Sequence, residues 1–302
     1  MTPEDILALP PNVLTQEQRA RYFEDGYVVV ENAVSDEWLG RLRGALADFD
    51  ERSRAMDGSE EDFTVEKGHS ADNPRLRQVL RATDHHPVIW DYASRSSLPD
   101  LVADLVGPDV KFREATINNK RSGGGQEVKW HQDYAYFPHT NRSPLMTLTL
   151  LEDIGPDQGA LQAIPRTHRG EIFDHYDTQG RWLGVMSDEA VAANDLDRAV
   201  ALTGPAGTVA IISCCIVHGS ARNDSTRDRP ILILGYSSAD CICYTRIPWI
   251  SRYQWEIVRG APATAVHQEP LTMRLPPDWA DEEYEALQAA QEATRQTVAA
   301  AT

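Results

Sequence analysis

The chain has 302 residues, 41% hydrophobic and 25% charged, a composition that supports a sizeable packed core and excludes a disordered or fibrous chain. Its 29 Lys and Arg against 46 Asp and Glu give a formal charge of −17, which repels phosphate backbones and anionic lipid heads, so no nucleic-acid and no membrane partner is expected. The longest nearly unbroken apolar run covers only 209–217, against the ~20 residues that cross a bilayer. The opening MTPEDILALPPNV carries acids and prolines where an export signal carries a basic start and an apolar core. A soluble, unexported, cytoplasmic protein is expected, with its oligomeric state left open.

No repeat, low-complexity block or Pro/Gly/Ser-rich linker divides the sequence, so 1–302 reads as one domain. It has a mainly helical layer over 1–109, a β core over 110–245 and a C-terminal extension over 246–302. Thr15 with amide and acidic residues in the next turn predicts a capped helix that Gly26 ends, and YVVVENAV after it has strand composition. Ser35 opens a second helix with Trp38, Leu39, Leu42, Leu46 and Phe49 at helical spacing. The charged stretch Arg52 to Asn73 reads as a mobile surface loop, and short helices are expected over Pro87 to Ser94 and Leu98 to Val106.

From Val110 the texture changes to strand-like runs: VKFREATINN, QEVKWHQDYAY, LMTLTLLEDI, GALQAIP, TVAIISCCIVHG and RPILILGYSSA. Helices followed by many short strands predict a helix-supported β-sandwich or barrel. Residues 169–203 interrupt the pattern with polar sequence and a short helix near Ser187 to Asn194, and are read as an active-site lid. DEEYEALQAAQEATRQTVAAA at the end reads as a helix. Cys214-Cys215 and Cys241-x-Cys243 lack the two-residue spacer of a zinc site and are expected to be reduced core thiols.

Two His and one carboxylate on a single face form the site of many non-haem iron enzymes. His-x-Asp occurs at His131-Gln132-Asp133 and at His175-Tyr176-Asp177, with His267-Gln268-Glu269 as a variant. The first lies in a strand-forming run, on which residues i and i+2 point the same way; the second lies in polar, loop-like sequence and reads as solvated. His218, at the end of an apolar strand, completes the first set. Arg229 follows a turn after His218, and two adjacent antiparallel strands would bring both to one pocket, where a guanidinium can grip a carboxylate bidentately and Ser220 can add a hydroxyl. Arg222 and Arg227 fall in that turn and are expected to face solvent. Tyr134, Tyr136 and Phe137, with Trp182 and Trp249, are candidate substrate contacts, although aromatic strand residues are commonly core.

WHQDYAYFP, GALQAIPRTHRG, HGSARNDSTRDRP and SSADC, from about Asn118 to Cys241, resemble the phytanoyl-CoA dioxygenase group of iron(II)/2-oxoglutarate oxygenases. The resemblance implies a mainly β fold with flanking α-helices, a double-stranded β-helix of the jelly-roll, cupin-like type. It implies iron(II) on His131, Asp133 and His218, and 2-oxoglutarate held by Arg229 and Ser220. Asn118 stands where some relatives also touch the cosubstrate. The expected reaction consumes O2 and 2-oxoglutarate, releases succinate and carbon dioxide, and hydroxylates a carbon of a small or medium organic substrate. Related halogenases have a small residue in place of the carboxylate; this chain has Asp133. An acyl-CoA 2-hydroxylase is the alternative within the group, and a non-catalytic metal- or ligand-binding β-sandwich the alternative outside it.

Overall fold

The computed structural model describes residues 1–123, 125–247 and 249–277. The helical layer comprises α1 (Pro3–Ala8), α2 (Gln16–Asp25), β1 (Tyr27–Val30), α3 (Asp36–Ser53), β2 (Phe63–Val65), β3 (Leu76–Leu80), α4 (Ala82–His85), α5 (Pro87–Arg95) and α6 (Leu98–Val106). Thr15 forms a capping box with Gln18 at the start of α2, and Ser35 caps α3 by accepting from the Trp38 N–H, satisfying donors that the first helical turn leaves unpaired. Gly26 ends α2 at φ +85°, where an added Cβ would stand 2.5 Å from His168 Nδ1, so both the backbone and the space require glycine.

The β core adds β4 (Val110–Lys120), β5 (Val128–His131), β6 (Leu145–Leu150), β7 (Leu161–Ala163), α7 (Asp188–Ala192), β8 (Val200–Leu202), β9 (Val209–Ser213), β10 (His218–Ser220), β11 (Arg229–Ser238) and β12 (Ile257–Arg259). One antiparallel sheet runs β1-β9-β6-β11-β4-β3-β2, with β12 also on β4; the other runs β5-β10-β7-β8. The larger sheet is covered twice. Leu232, Leu234 and Tyr236 of β11 pack with Leu42, Phe49, Ile89, Leu101 and Leu105 of α3, α5 and α6, whereas Ile231 joins Leu148, Ile212 and Tyr134 between the sheets. This alternation along β11 makes a helix-backed double-stranded β-helix, and each fully buried aliphatic side chain contributes on the order of 1.5–3 kcal/mol.

Several expectations need correction. The charged stretch 52–73 is not a free loop, because β2 pairs with β3 and buries Phe63, while Asp62 pairs with Arg81 and His85. The apolar run 209–219 is two strands: β9 stops at Ser213, Cys214 and Cys215 turn, and β10 enters the opposite sheet. His218 and Arg229 therefore sit on facing sheets rather than on adjacent strands. The short helix expected near Ser187 to Asn194 is present as α7, capped by Ser187, whereas β8 in the same segment, which extends the smaller sheet beside β7, was not expected. All four cysteines are free, and Cys214, Cys215 and Cys241 are buried. The expected C-terminal helix over 281–301 lies outside the described residues. Among the described residues no helix is long and apolar enough to cross a membrane.

Candidate active site

His131 ends β5 and His218 begins β10, and the two are direct cross-strand partners. Asp133 is not on the strand, as the i, i+2 argument supposed, but opens a 3-10 turn over Asp133–Ala135. That turn swings its carboxylate to both rings: Oδ1 lies 3.3 Å from His131 Nε2 and 3.6 Å from His218 Nε2. One ligand atom from each of the three residues lies within 4.8 Å of the others, and no other such metal-holding group occurs among the described residues.

The tautomers follow from the backbone. His131 Nδ1 donates to the Lys129 carbonyl at 2.8 Å and His218 Nδ1 to the Ile216 carbonyl at 3.0 Å. Each Nε2 is left as a lone pair directed at Asp133, the arrangement that orients metal-bound imidazoles. Burial holds the His218 imidazolium down at about 4, a further reason for a neutral ring. Burial would raise the Asp133 carboxyl; positive charge in the pocket, on protonated His218 and His131 and on Arg113, holds it at about 2. Two neutral imidazoles and a carboxylate converging lone pair to lone pair repel one another without a cation, so the donor set fits a divalent metal of the iron type.

The segment carrying two of these residues is bolted from outside. Gln132 is fully buried; its amide donates to the Cys215 carbonyl at 2.7 Å and the Glu171 carbonyl at 3.1 Å and accepts from the Phe173 N–H at 2.8 Å. Its backbone N–H donates to His175 Nε2 at 3.1 Å, while His175 Nδ1 donates to the Phe173 carbonyl. His175 is thus a buried residue and not a solvated one, and burial lowers its imidazolium to about 4. Asp177, its motif partner, caps the local turn by accepting from Gln179 and Arg181. His267 lies elsewhere, near the N-terminal amine.

A cavity of about 240 Å³ between the sheets is lined by His131, Asp133 and His218 and, farther along, by Asn118, Ser220 and Arg229. Arg229 is 3% exposed, its Nε has no hydrogen-bond partner, and no carboxylate pairs with it among the described residues. Burial alone pulls its guanidinium down to about 10. Lys120, its cross-strand partner, donates to Ser220 Oγ at 2.7 Å and is lowered to about 6 by burial and then by Arg229. Arg229, buried without a counter-anion among the described residues, makes this end of the cavity an anion receptor, and Lys120 beside it, its charge disfavoured, serves as the hydrogen-bond donor to Ser220. Arg222 and Arg227 are exposed, paired loosely with Asp224 and Asp157.

Of the aromatic candidates, Tyr136, Phe137 and Trp249 line the cavity. Tyr134 does not, because its hydroxyl is turned into the core to the His139 carbonyl at 2.5 Å. Trp182 also stands off the wall, behind Tyr136 at 5.3 Å and stacked on His175. Sequence reasoning missed Arg77, Gln78, Glu114, Thr116 and Met146, which line the cavity as well. The usable signal was the alternation Glu114, Thr116, Asn118 on one face of β4.

Over 229 residues the chain is 29% identical to the "Probable alpha-ketoglutarate-dependent hypophosphite dioxygenase" of Stutzerimonas stutzeri, covering 74% of this chain and 79% of that one. It is 27% identical over 239 residues to the ectoine dioxygenase of Sphingopyxis alaskensis, covering 74% and 76%. The crystal structure of EctD from S. alaskensis with 2-oxoglutarate and 5-hydroxyectoine superposes with a TM-score of 0.67 at 24% identity, covering 88% of this chain and 93% of that one, and shares the fold. The sequence model of the family described as Phytanoyl-CoA dioxygenase matches residues 22–231, a span that takes in α3, the His131–Asp133–His218 cluster and Arg229, and the chain belongs to that family.

Proposed function

We propose that the chain is an iron(II)- and 2-oxoglutarate-dependent dioxygenase that hydroxylates a carbon of a small organic substrate. The reading is carried by one observation: a lone-pair cluster of two imidazoles and a carboxylate shares a cavity with a buried guanidinium that has no counter-ion among the described residues. His131, Asp133 and His218 would hold the metal. Iron bound there would supply the oxidative chemistry, with O2 and 2-oxoglutarate converted so that succinate and carbon dioxide leave.

The chain's own groups do the positioning. Arg229 would grip the distal carboxylate of 2-oxoglutarate, with Ser220 presenting its hydroxyl and Lys120 holding that hydroxyl in place. Asn118 lies on the same wall. The Lys129 and Ile216 carbonyls keep both ligand imidazoles in the Nδ1–H tautomer, so that no proton has to leave Nε2 when the metal enters. Leu148, Leu161 and Ile233 exclude water from the walls.

The test is succinate formation from 2-oxoglutarate by purified protein with iron(II) under air. Iron-dependent succinate that disappears in the Asp133→Ala protein supports the reading. A protein that binds metal but releases no succinate with any of a broad set of small substrates would favour a non-catalytic binding protein instead.

A further inference from the structure

The cavity has two chemically unlike ends. Glu114 pairs with Gly235 across β4 and β11, and Lys120 pairs with Arg229 at the far end of the same ladder. At ~3.4 Å per residue the two pairs are on the order of 20 Å apart. The Arg229 end is cationic. The other end is walled by Glu114, Tyr136, Phe137, Met146 and Trp249.

Glu114 faces this wall by ordinary alternation with Thr116 and Asn118, and a backbone irregularity beside it brings Arg113 to its carboxylate. The register slips between Gly235 and Tyr236, which pair with Glu114 and Phe112, so Arg113 is the extra residue of a β-bulge. Bulges re-aim side chains. Here the bulge lets neighbours that would otherwise face opposite ways meet, with an Arg113 nitrogen 2.9 Å from Glu114 Oε1. Trp249 Nε1 donates to Oε2 at 2.6 Å. Gly235 leaves the room the carboxylate needs, since a Cβ there would stand 2.9 Å from Glu114 Cγ.

Burial pushes the Glu114 carboxyl up, Arg113 and the Trp249 hydrogen bond favour its ionised form, and Arg113 does not present its own charge to the cavity. It is fully buried behind the wall, 3.4 Å from Cys214 Sγ and over the Phe137 ring at 4.4 Å. What faces the cavity is a carboxylate edge with acceptor capacity beyond those two bonds, flanked by aromatic rings. Carboxylate and aromatic faces together favour organic cations.

We propose that Glu114, with Tyr136, Phe137 and Trp249, binds a cationic group of the substrate, which makes the substrate class a small organic cation or zwitterion such as a protonated or quaternary amine. The proposal rests on the dioxygenase reading of the same cavity, with the carbon to be oxidised held between Glu114 and the His131–Asp133–His218 cluster. An anionic substrate would meet the Glu114 and Asp133 carboxylates together. Glu114 is then a specificity-determining residue for the reaction.

The test is calorimetric titration of protein loaded with iron(II) and 2-oxoglutarate in the absence of oxygen. The probes are tetramethylammonium, its near-isostere tert-butanol, and pivalate, an anion that carries the same tert-butyl group, with hypophosphite as a further anion. The proposal expects saturable binding of tetramethylammonium, weaker binding of tert-butanol and none of the anions. It expects Glu114→Gln to weaken tetramethylammonium about tenfold or more without changing 2-oxoglutarate affinity, and Glu114→Asp to fall between the two. Retained 2-oxoglutarate binding by each variant shows that it is folded. The proposal is overturned if either anion binds in preference to tetramethylammonium, if Glu114→Gln binds tetramethylammonium as well as the wild type does, or if the wild type binds 2-oxoglutarate but not the cation. If the wild type binds no 2-oxoglutarate, the dioxygenase reading fails and the substrate assignment fails with it.

Discussion

His175 Nε2 accepts the backbone N–H of Gln132 at 3.1 Å, so a residue 43 positions away holds the middle of the His131-Gln132-Asp133 segment. The bond needs a neutral ring with its proton on Nδ1, and the Phe173 carbonyl fixes that tautomer at 2.8 Å. His175→Ala leaves a buried N–H without an acceptor, which costs about 1–3 kcal/mol of stability. It also loosens the spacing between the two ligands that flank Gln132. Iron(II) affinity is expected to fall about ten- to a hundredfold, the usual range for a lost partner behind a metal ligand. His175→Gln, whose amide oxygen can accept, is expected to recover part of it. Unchanged iron affinity in His175→Ala, measured by titration at neutral pH, contradicts this role.

His168 lies away from the metal-ligating residues, lowered to about 4 by burial, with Nε2 on the Phe23 carbonyl. In the unfolded chain its imidazole takes a proton near the ordinary value of about 6.5. Between those two values the unfolded state binds the proton and the folded state does not, so stability falls as pH drops from about 6.5 to about 4. At about 1.4 kcal/mol per pKa unit the contribution is at most about 3.5 kcal/mol, and less after solvent screening. Urea unfolding midpoints at pH 7 and pH 4.5 should differ less in His168→Gln than in the wild type. An equal pH dependence in the two proteins contradicts the assignment.

Arg229→Ala is expected to raise the 2-oxoglutarate requirement about a hundredfold or more, because a buried charge-assisted contact contributes several kcal/mol when one partner is deleted. Iron affinity should change far less, since Arg229 touches none of the three ligands. Arg222→Ala and Arg227→Ala, both at exposed positions, serve as controls and should leave the cosubstrate titration unchanged. A hundredfold effect in either control, or none in Arg229→Ala, contradicts the anion receptor.

Much of this site was legible because its residues sit in short runs with strong local signals. His131 and Asp133 stand in a strand-forming segment, and His218 and Arg229 bracket a polar turn. What was not legible depends on contacts distant in sequence. The run 209–219 reads as one strand because cysteines pack like other apolar residues, yet Cys214 and Cys215 carry the chain from one sheet to the other. His175 reads as solvated because its neighbours are polar, and only Gln132 and Trp182 explain its burial. Glu114 shares a period-two face with Thr116 and Asn118, but its contact with Arg113 is not legible, because the bulge that brings the two together appears only when β4 is paired with β11. Helix boundaries fared better: Ser35, Gly26 and the helix-favouring run from Leu98 act through local bonds and spacing.

The central claim is that His131, Asp133 and His218 hold iron(II) in the cavity where Arg229 holds 2-oxoglutarate. Its most direct test is anaerobic titration of the protein with iron(II) and 2-oxoglutarate, read by the visible charge-transfer absorption that appears only when the keto acid chelates the metal. The account predicts that the wild type develops this band with both components and with neither alone. His131→Ala, Asp133→Ala and His218→Ala should each lose most or all of it, and Arg229→Ala should need far more 2-oxoglutarate to reach it. A wild type that binds both components without the band, or a full band surviving in both His131→Ala and His218→Ala, would contradict it.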